Sequence, residues 1–322
     1  MVNVAIAGGT GDLGRIIVDA LQKYAPHHRV FILSRKVPPA TTTTTTTTTT
    51  LVVDYTSIPS LTHTLTASSI HTIISTLGYH GTALSTAQLN LIRAAAASPT
   101  TARFAPSAWA VRYPLSACAD LPMLDGYFAA IDALREARRE GRLAWTAFFC
   151  GVFLDYYMGR EGGLTRPNCF GVDVGAGVAA VPGDGGKRVA FTWTGDVARF
   201  VVEAVDVGGD EVWGREEACL AGDVVTWNEF VGLAEEVRGI KFKVVYDDVE
   251  KLKRGEITEL PGHAASYELF PKPAYQRFMA IFEQFTTDEA ICAIPPVLNA
   301  RFPEIKPLTV RAMLEQYWGE KQ

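Results

Sequence analysis

The chain has 322 residues, 48% of them hydrophobic, a length that allows one large α/β domain or two unequal lobes and a core that needs no covalent staples. Thirty Lys+Arg against 35 Asp+Glu give a formal net charge of −5 with no long basic run, which argues against nucleic acid as a partner. The five cysteines, Cys118, Cys150, Cys169, Cys219 and Cys292, are widely spaced without a CxxC pair, which argues against a disulfide framework or a zinc site and for a reducing compartment.

Residues 2–7 (VNVAIA) form an apolar run that reads as a buried strand, and residues 15–21 (RIIVDAL) read as a helix. Between them stand Gly8, Gly9, Thr10, Gly11, Asp12, Leu13 and Gly14. Strand, glycine turn and helix is the arrangement that seats a dinucleotide pyrophosphate. One glycine takes the tight turn, one lets the backbone approach phosphate oxygens and one lets helix and strand pack closely, while the free N–H groups of the helix start bind anions. The spacing is GxxGxxG, at Gly8, Gly11 and Gly14, and not the commoner GxGxxG.

Residues 29–33 read as a second buried strand, ending at Ser34, Arg35 and Lys36. An acidic residue at that strand end would bond the ribose hydroxyl of NAD, whereas a basic one pairs with the 2′-phosphate of NADP, so Arg35 and Lys36 favour NADP(H). Residues 41–50 are ten consecutive threonines, a tract with no alternation of faces, and they read as a loop. Threonine's β propensity would permit a strand, but no apolar face specifies one.

A third strand at 51–54 ends in Asp54, a helix follows at 58–65, and a fourth strand at 71–78 closes with Thr76, Leu77 and Gly78. Helix at 86–97, strand at 102–105, helix at 125–140 and strand at 143–149 continue the alternation. This βαβ rhythm implies an α/β fold of the Rossmann type, a doubly wound parallel sheet with right-handed crossovers. Ligands in such sheets bind beyond the carboxyl ends of the strands, where the glycine loop, Asp54, Thr76, Ser107 and Gly151 fall. Asp54 reads equally as a turn residue or as a contact to the adenine end.

Beyond about residue 155 the rhythm loosens, with helices at 195–205 and 227–238 and a glycine-rich stretch at 171–186. The expected organisation is a nucleotide-binding Rossmann domain over 1–155 and a smaller, mainly substrate-binding lobe over 156–322, with some segments returning to the Rossmann core. Phe153, Tyr156, Tyr157, Phe170, Trp193, Phe270, Tyr275, Phe278 and Phe282 are candidates to line an apolar cleft, although for any single one of them core packing is the favoured explanation. No apolar run reaches the roughly 18 to 20 residues that span a bilayer. The first residues read as a core strand and not as a secretory leader, so a cytoplasmic protein without a membrane partner is expected.

In order, GGTGDLG (8–14), Ser34-Arg35, STLG (75–78), Gln88 with Leu91-Ile92, RFAPS (103–107), the stretch from Trp145 to Tyr157, TGDVAR (194–199), and FPEIK (302–306) with Thr309-Val310 resemble the isoflavone-reductase and NmrA-like branch of the atypical short-chain dehydrogenases. The resemblance implies a Rossmann domain that binds NADP(H), a smaller substrate lobe and, for many members, hydride transfer to an apolar, often aromatic, secondary metabolite. Reductases of this branch carry a lysine on the helix after a PSE(F/W)G segment, as general acid or base. Here that segment is Pro106-Ser107-Ala108-Trp109-Ala110, and no lysine occurs between Ser107 and Gly141. Counting back from Gly141 puts Tyr127 at or near the lysine's position, and a positioned tyrosine can donate a proton. Position 131 is Ile131, so the tyrosine-lysine pairing of the classical enzymes is missing. Asp125 and His80 are alternative acids. His80 and Trp109, with Phe153, Tyr156 and Tyr157, are the candidate substrate contacts.

Three functions fit these residues. The first is an NADPH-dependent oxidoreductase of an apolar or aromatic small molecule. The second is a redox-neutral isomerase or cyclase that retains NADP(H). The third is an NmrA-type regulatory protein that senses NADP(H) without turnover. Oligomeric state and substrate identity are not written in the sequence.

Overall fold

The computed structural model describes residues 1–36, 48–78, 81–159, 162–166, 168–268 and 270–319. The chain divides into two compact units. The first comprises Met1–Trp109, Pro114–Phe149 and Ala198–Ala218, and the second Ala110–Tyr113, Cys150–Val197 and Cys219–Gln322.

The first unit is built on β1 (Asn3–Ala7), α1 (Asp12–Tyr24), β2 (Arg29–Ser34), β3 (Thr48–Val52), α2 (Ile58–Ala67), β4 (Thr72–Ser75), α3 (Leu89–Ala97), β5 (Arg103–Ala105), α4 (Leu124–Arg139) and β6 (Ala144–Trp145). Its six strands form one sheet in the order β3-β2-β1-β4-β5-β6, every neighbouring pair parallel. This is the doubly wound Rossmann order expected from the alternation of short apolar strands and helices. Val4, Ala5, Ile6, Ile73, Ile74 and Phe104 have no exposed surface, because helices cover both faces of the sheet. The register sets Ala7 level with Leu33 and Ser75, and Ser34 level with Val52. The residues that follow these strand ends therefore emerge along a single edge.

Two details differ from the sequence reading. The described part of the threonine tract, Thr48 to Thr50, is not a loop but opens β3, pairing with Val30 to Ile32. An edge strand needs a paired backbone and β-branched side chains more than an apolar face, and β2 supplies the apolar template. The rest of the tract, 41–47, lies outside the described residues. The expected strand at 143–149 is divided, since Thr146 still donates its N–H to Phe104 O (3.2 Å) while Ala147 donates to Glu216 O (2.9 Å). The chain changes partners there, and β7 (Ala147–Phe149) leaves the main sheet.

In the second unit β8 (Val152–Phe153), β9 (Val172–Asp173), β10 (Val178–Pro182) and β11 (Arg188–Thr192) precede α5 (Thr194–Asp206), whose C-terminal turns belong to the first unit. α6 (Asp210–Trp213) and all but the last residue of β12 (Glu217–Cys219) belong to the first unit as well, and the second resumes with β13 (Asp223–Thr226), α7 (Trp227–Arg238), β14 (Lys243–Asp247), α8 (Val249–Lys253) and α9 (Lys272–Phe285). Two three-stranded sheets result, β13-β11-β8 and β14-β10-β9. Thr226 and Glu229 close a reciprocal capping box at the start of α7, and Gly239 ends the helix in the left-handed region at φ 62°. The core is aromatic: Phe191 meets Trp227 edge-on at 5.2 Å, and the Tyr157 ring lies 4.7 Å from Phe230.

Asp155, 2% exposed, accepts hydrogen bonds from the Thr194 N–H (2.9 Å), the Thr194 hydroxyl (2.7 Å) and the Leu164 N–H (3.0 Å), holding the start of α5. Glu283 on α9 contrasts with it. At 1% exposure neither of its carboxyl oxygens makes a full hydrogen bond to a described residue, although the Gly171 amide lies near. Burial first, and then the Asp247 carboxylate, push its pKa well up, opposed by Gly171 and Lys251. Glu283 is thus protonated in the fold and ionised in the unfolded chain above the ordinary carboxylate range of about 4.3. The folded state holds the extra proton, so this stabilisation is complete below that range and is lost as pH rises. Glu283→Gln should stabilise the chain more at pH 8 than at pH 5, removing a slope that cannot exceed about 1.4 kcal/mol per pH unit for one proton. Urea unfolding of both proteins across that range checks this, and equal slopes would contradict it.

Candidate functional site

The site is assembled at the carboxyl edge of the parallel sheet, in the first unit. Gly8 leaves β1 with φ +82°, a conformation that L side chains avoid. A Cβ there would stand 2.8 Å from Thr76 O and 2.9 Å from Thr76 Oγ1. Gly14 is tighter still, since a Cβ would lie 2.2 Å from Gly8 O and 2.7 Å from Thr76 Oγ1. The middle glycine does different work: its N–H donates to Gly8 O at 2.9 Å, and it stands at the N-cap of α1 without a capping side chain. Thr76 is fixed in turn, its N–H (2.8 Å) and hydroxyl (2.9 Å) both donating to Ala7 O. The product is a narrow backbone cradle of exposed Thr10 and Gly11 and half-buried Asp12 and Leu13. It is capped by the positive end of a helix.

At the neighbouring strand end the Ser34 hydroxyl donates to Lys36 O (2.7 Å) and accepts from Lys36 N–H (3.2 Å). That turn places Arg35 and Lys36 in solvent. Arg35 is close enough to Tyr55 to oppose the rise that burial imposes on the phenol, whose hydroxyl donates to Leu33 O at 3.2 Å. Asp54, also exposed, accepts from the Thr56 N–H (2.8 Å) and hydroxyl (2.6 Å), and these bonds hold its carboxyl below the usual value. Of its two readings, the turn is the one with visible partners.

Beyond β4, half-buried Leu77 and exposed Gly78 continue the edge, while His80 lies outside the described residues. The segment Ala83–Gln88 winds as a wide π-helical turn before α3. Gln88, fully buried, accepts the Ser107 N–H at 2.8 Å through its side-chain oxygen, tying this turn to the loop after β5. Trp109 donates its indole N–H to Ser75 O (2.8 Å) and stacks on Phe148 at 5.3 Å. Gly126 lets α4 dock on the same turn, for a Cβ there would stand 2.6 Å from Ser85 N. Tyr127 follows it, 5% exposed, its ring edge-on to Phe128 at 5.1 Å. Asp125 is exposed and accepts a hydrogen bond from Cys118, whose thiol is pushed up by desolvation first and by this carboxylate second.

Residues 8–14, Ser34 to Lys36, Asp54 and Thr76 to Gly78 therefore share one strand-end edge, and Ser107 and Trp109 are braced on Gln88 and Ser75 in the same unit. Gly151 belongs to the second unit. There its φ of +72° and the 2.1 Å that would separate a Cβ from Ala190 O give it a packing duty against β11. Phe153 and Tyr156 are half-buried and 5.8 Å apart. Tyr157 corrects the sequence reading. It is 2% exposed, its hydroxyl donates to Phe170 O at 2.9 Å, and its ring is packed among Phe191, Trp227 and Phe230, so it is core and not a cleft wall. Phe170 and Tyr275 are buried likewise. Gln88 and Ser75 stood among the family motifs but not among the site candidates, because their work depends on a distant loop.

The match with known proteins covers the chain. A model described as the NmrA-like family matches residues 2–314. The chain belongs to the NmrA-like family. Among its relatives are the oxidoreductase swnN of Metarhizium robertsii, 28% identical with 100% of this chain and 99% of that protein covered. The oxidoreductase BOA1 of Botryotinia fuckeliana is 29% identical with 95% and 96% covered. The oxidoreductase swnR of Arthroderma benhamiae is 30% identical with 73% of each covered. In fold it is similar to leucoanthocyanidin reductase from Vitis vinifera, solved with NADPH, at a TM-score of 0.71, 18% identity and 98% and 99% coverage. An isoflavone reductase gives 0.68, 19%, and 98% and 99%. Among the described residues no helix is long and apolar enough to cross a membrane.

The cradle makes a direct prediction. Gly14→Ala forces a Cβ onto a backbone oxygen and should cost about 1–3 kcal/mol of stability or more. Gly11→Ala, whose Cβ meets only Gly8 O at 3.3 Å, should cost far less. Thermal midpoints of the two variants measure the difference, and equal midpoints would refute the close approach.

Proposed function

We propose that the chain is an NADPH-dependent oxidoreductase acting on an apolar or aromatic small molecule. The observation that carries this reading is the juxtaposition of the glycine cradle at an uncapped helix N-terminus with Arg35 and Lys36 at the adjacent strand end. The cradle has no room for a Cβ at Gly8 or Gly14, and its backbone amides suit a pyrophosphate. Arg35 and Lys36 suit a 2′-phosphate, Arg35 through its bidentate fork. Thr10 to Leu13 would hold the phosphates, Thr76 to Gly78 the inner ribose side, and Ser107 the segment beside the nicotinamide. Asp54 would act there by shaping its turn. Membership among proteins named oxidoreductases supports the same reading.

Bound NADPH supplies a hydride from its nicotinamide ring. The chain's part is to orient the acceptor, exclude water and deliver a proton. We assign the proton to the Tyr127 hydroxyl, on the first turn of α4, where relatives of the reductase type carry a lysine. As a substrate oxygen gains negative charge, the phenolic O–H bond breaks and the proton passes to that oxygen. Trp109, held by Ser75 and Phe148, is the candidate apolar contact in the first unit, with His80 as a further one.

Calorimetric titration should show NADPH binding at least tenfold tighter than NADH, about 1.4 kcal/mol. Arg35→Asp should abolish most of that preference, and equal affinities in the unmodified chain would overturn the cofactor assignment. Tyr127→Phe should lower turnover at least tenfold, about 1.4 kcal/mol of transition-state stabilisation, with NADPH affinity unchanged. An unaltered rate would remove Tyr127 as the proton donor.

A further inference from the structure

At the opposite end of the same sheet, where the strands begin, the turn before β2 carries two adjacent histidines. His27 Nε2 lies 2.8 Å from Asp206 Oδ1, and His28 Nε2 lies 3.4 Å from the same oxygen. The three atoms are all within 4.8 Å of one another. We propose that His27, His28 and Asp206 bind one divalent transition-metal ion of the zinc class.

The His28 side chain is 3% exposed, and its Nε2 has no hydrogen-bond partner among the described residues. A buried ring nitrogen whose contact with a carboxylate is long, 3.4 Å, beside a second imidazole packed on its own ring suits a ligand position. Two imidazole nitrogens and one carboxylate oxygen suit Zn²⁺, Co²⁺, Ni²⁺ or Cu²⁺ and not the oxygen-preferring Mg²⁺ or Ca²⁺. On a tetrahedral ion with bonds of about 2 Å, ligand atoms lie about 3.3 Å apart. The His28–Asp206 separation of 3.4 Å already matches this, and the 2.8 Å His27–Asp206 separation would lengthen by an adjustment of the His27 side chain, which is 48% exposed.

Helix electrostatics point the same way. Asp206 is the last residue of α5, and that helix has no basic residue in its last turn. A carboxylate at the negative end of a helix dipole is unfavourable alone and favours a cation beside it. An ion there would clip the start of β2 to the end of α5, bridging residues 179 apart in sequence. In the metal-free chain the Val2 N–H donates to His28 Nδ1 at 3.2 Å, which leaves the ring proton on Nε2. When the metal takes Nε2, that proton moves to Nδ1 and Val2 turns away. The adjustment is at a chain end where Met1 is 90% exposed.

The test is calorimetry and thermal unfolding of the full chain, without a histidine tag, after chelator treatment, titrated with Zn²⁺ alone. One ion per chain and a raised thermal midpoint are expected. Asp206→Asn and His27→Gln, both at exposed side chains, and the buried His28→Gln should each weaken binding at least tenfold, whereas His63→Gln on α2 should not. Co²⁺ should give the visible absorption of a low-symmetry nitrogen and oxygen site, lost in Asp206→Asn. Absence of binding, or binding undiminished in Asp206→Asn and His27→Gln, would overturn the proposal.

Discussion

The contact on which the first unit depends is the seating of Gly14 over the Gly8 carbonyl beside Thr76. A strand, a helix and the neighbouring strand can meet there only because two positions lack a Cβ: the gaps that a methyl would have to occupy are 2.2 and 2.8 Å wide. Backbone contact of this kind fixes where α1 starts, and the start of α1 fixes where its free amides stand. The register of β1 with β2 and β4 then decides which residues share that edge, namely Ser34 to Lys36 on one side and Thr76 to Gly78 on the other.

This also explains which parts of the site could be read from residues alone. Glycine positions declare a steric need that acts over a few residues, and Arg35 draws notice through its place at a strand end. Local periodicity was enough for α1, α4 and the parallel sheet. The threonine strand was misread because an edge strand is specified by its partner's backbone and not by its own pattern. Tyr157 was misread because its ring is claimed by Phe191, Trp227 and Phe230, which are 34 or more residues away in sequence. The Gln88 side chain and the Ser107 amide, 19 residues apart, are joined by a single hydrogen bond that no spacing rule anticipates.

Charge is distributed with the same economy. Buried aspartates serve as backbone pins: Asp155 holds the start of α5, and Asp196 accepts the Leu308 N–H at 2.7 Å. Each offsets its desolvation by hydrogen bonds to amides that would otherwise be orphaned. For Glu283 the Gly171 amide and Lys251 compensate too little, and burial drives its carboxyl towards the protonated form. Burial raises the pKa of Asp155 as well, but Glu283 is the more strongly shifted of the two, and the Tyr157 and Tyr275 rings near it add to its low-dielectric surroundings.

Within the first unit, the charged and the neutral parts of the candidate site are separated. Arg35 and Lys36 stand exposed at the end of β2, whereas Ser75, Gln88, Ser107, Trp109 and Tyr127 are buried and uncharged in their ordinary forms. Charged side chains recognise phosphates well in solvent, where their hydration is retained on the free side. A reacting centre shielded from water gains more from fixed dipoles, which need no counter-ion and cost no reorganisation as charge develops. A phenol in place of an ammonium group suits that surrounding. As the proposed donor, it would give up a proton to a developing oxyanion without first requiring a buried positive charge, and the hydrogen bonds from the Ser107 N–H to Gln88 and from the Trp109 indole to Ser75 pin the loop after β5 in the same unit.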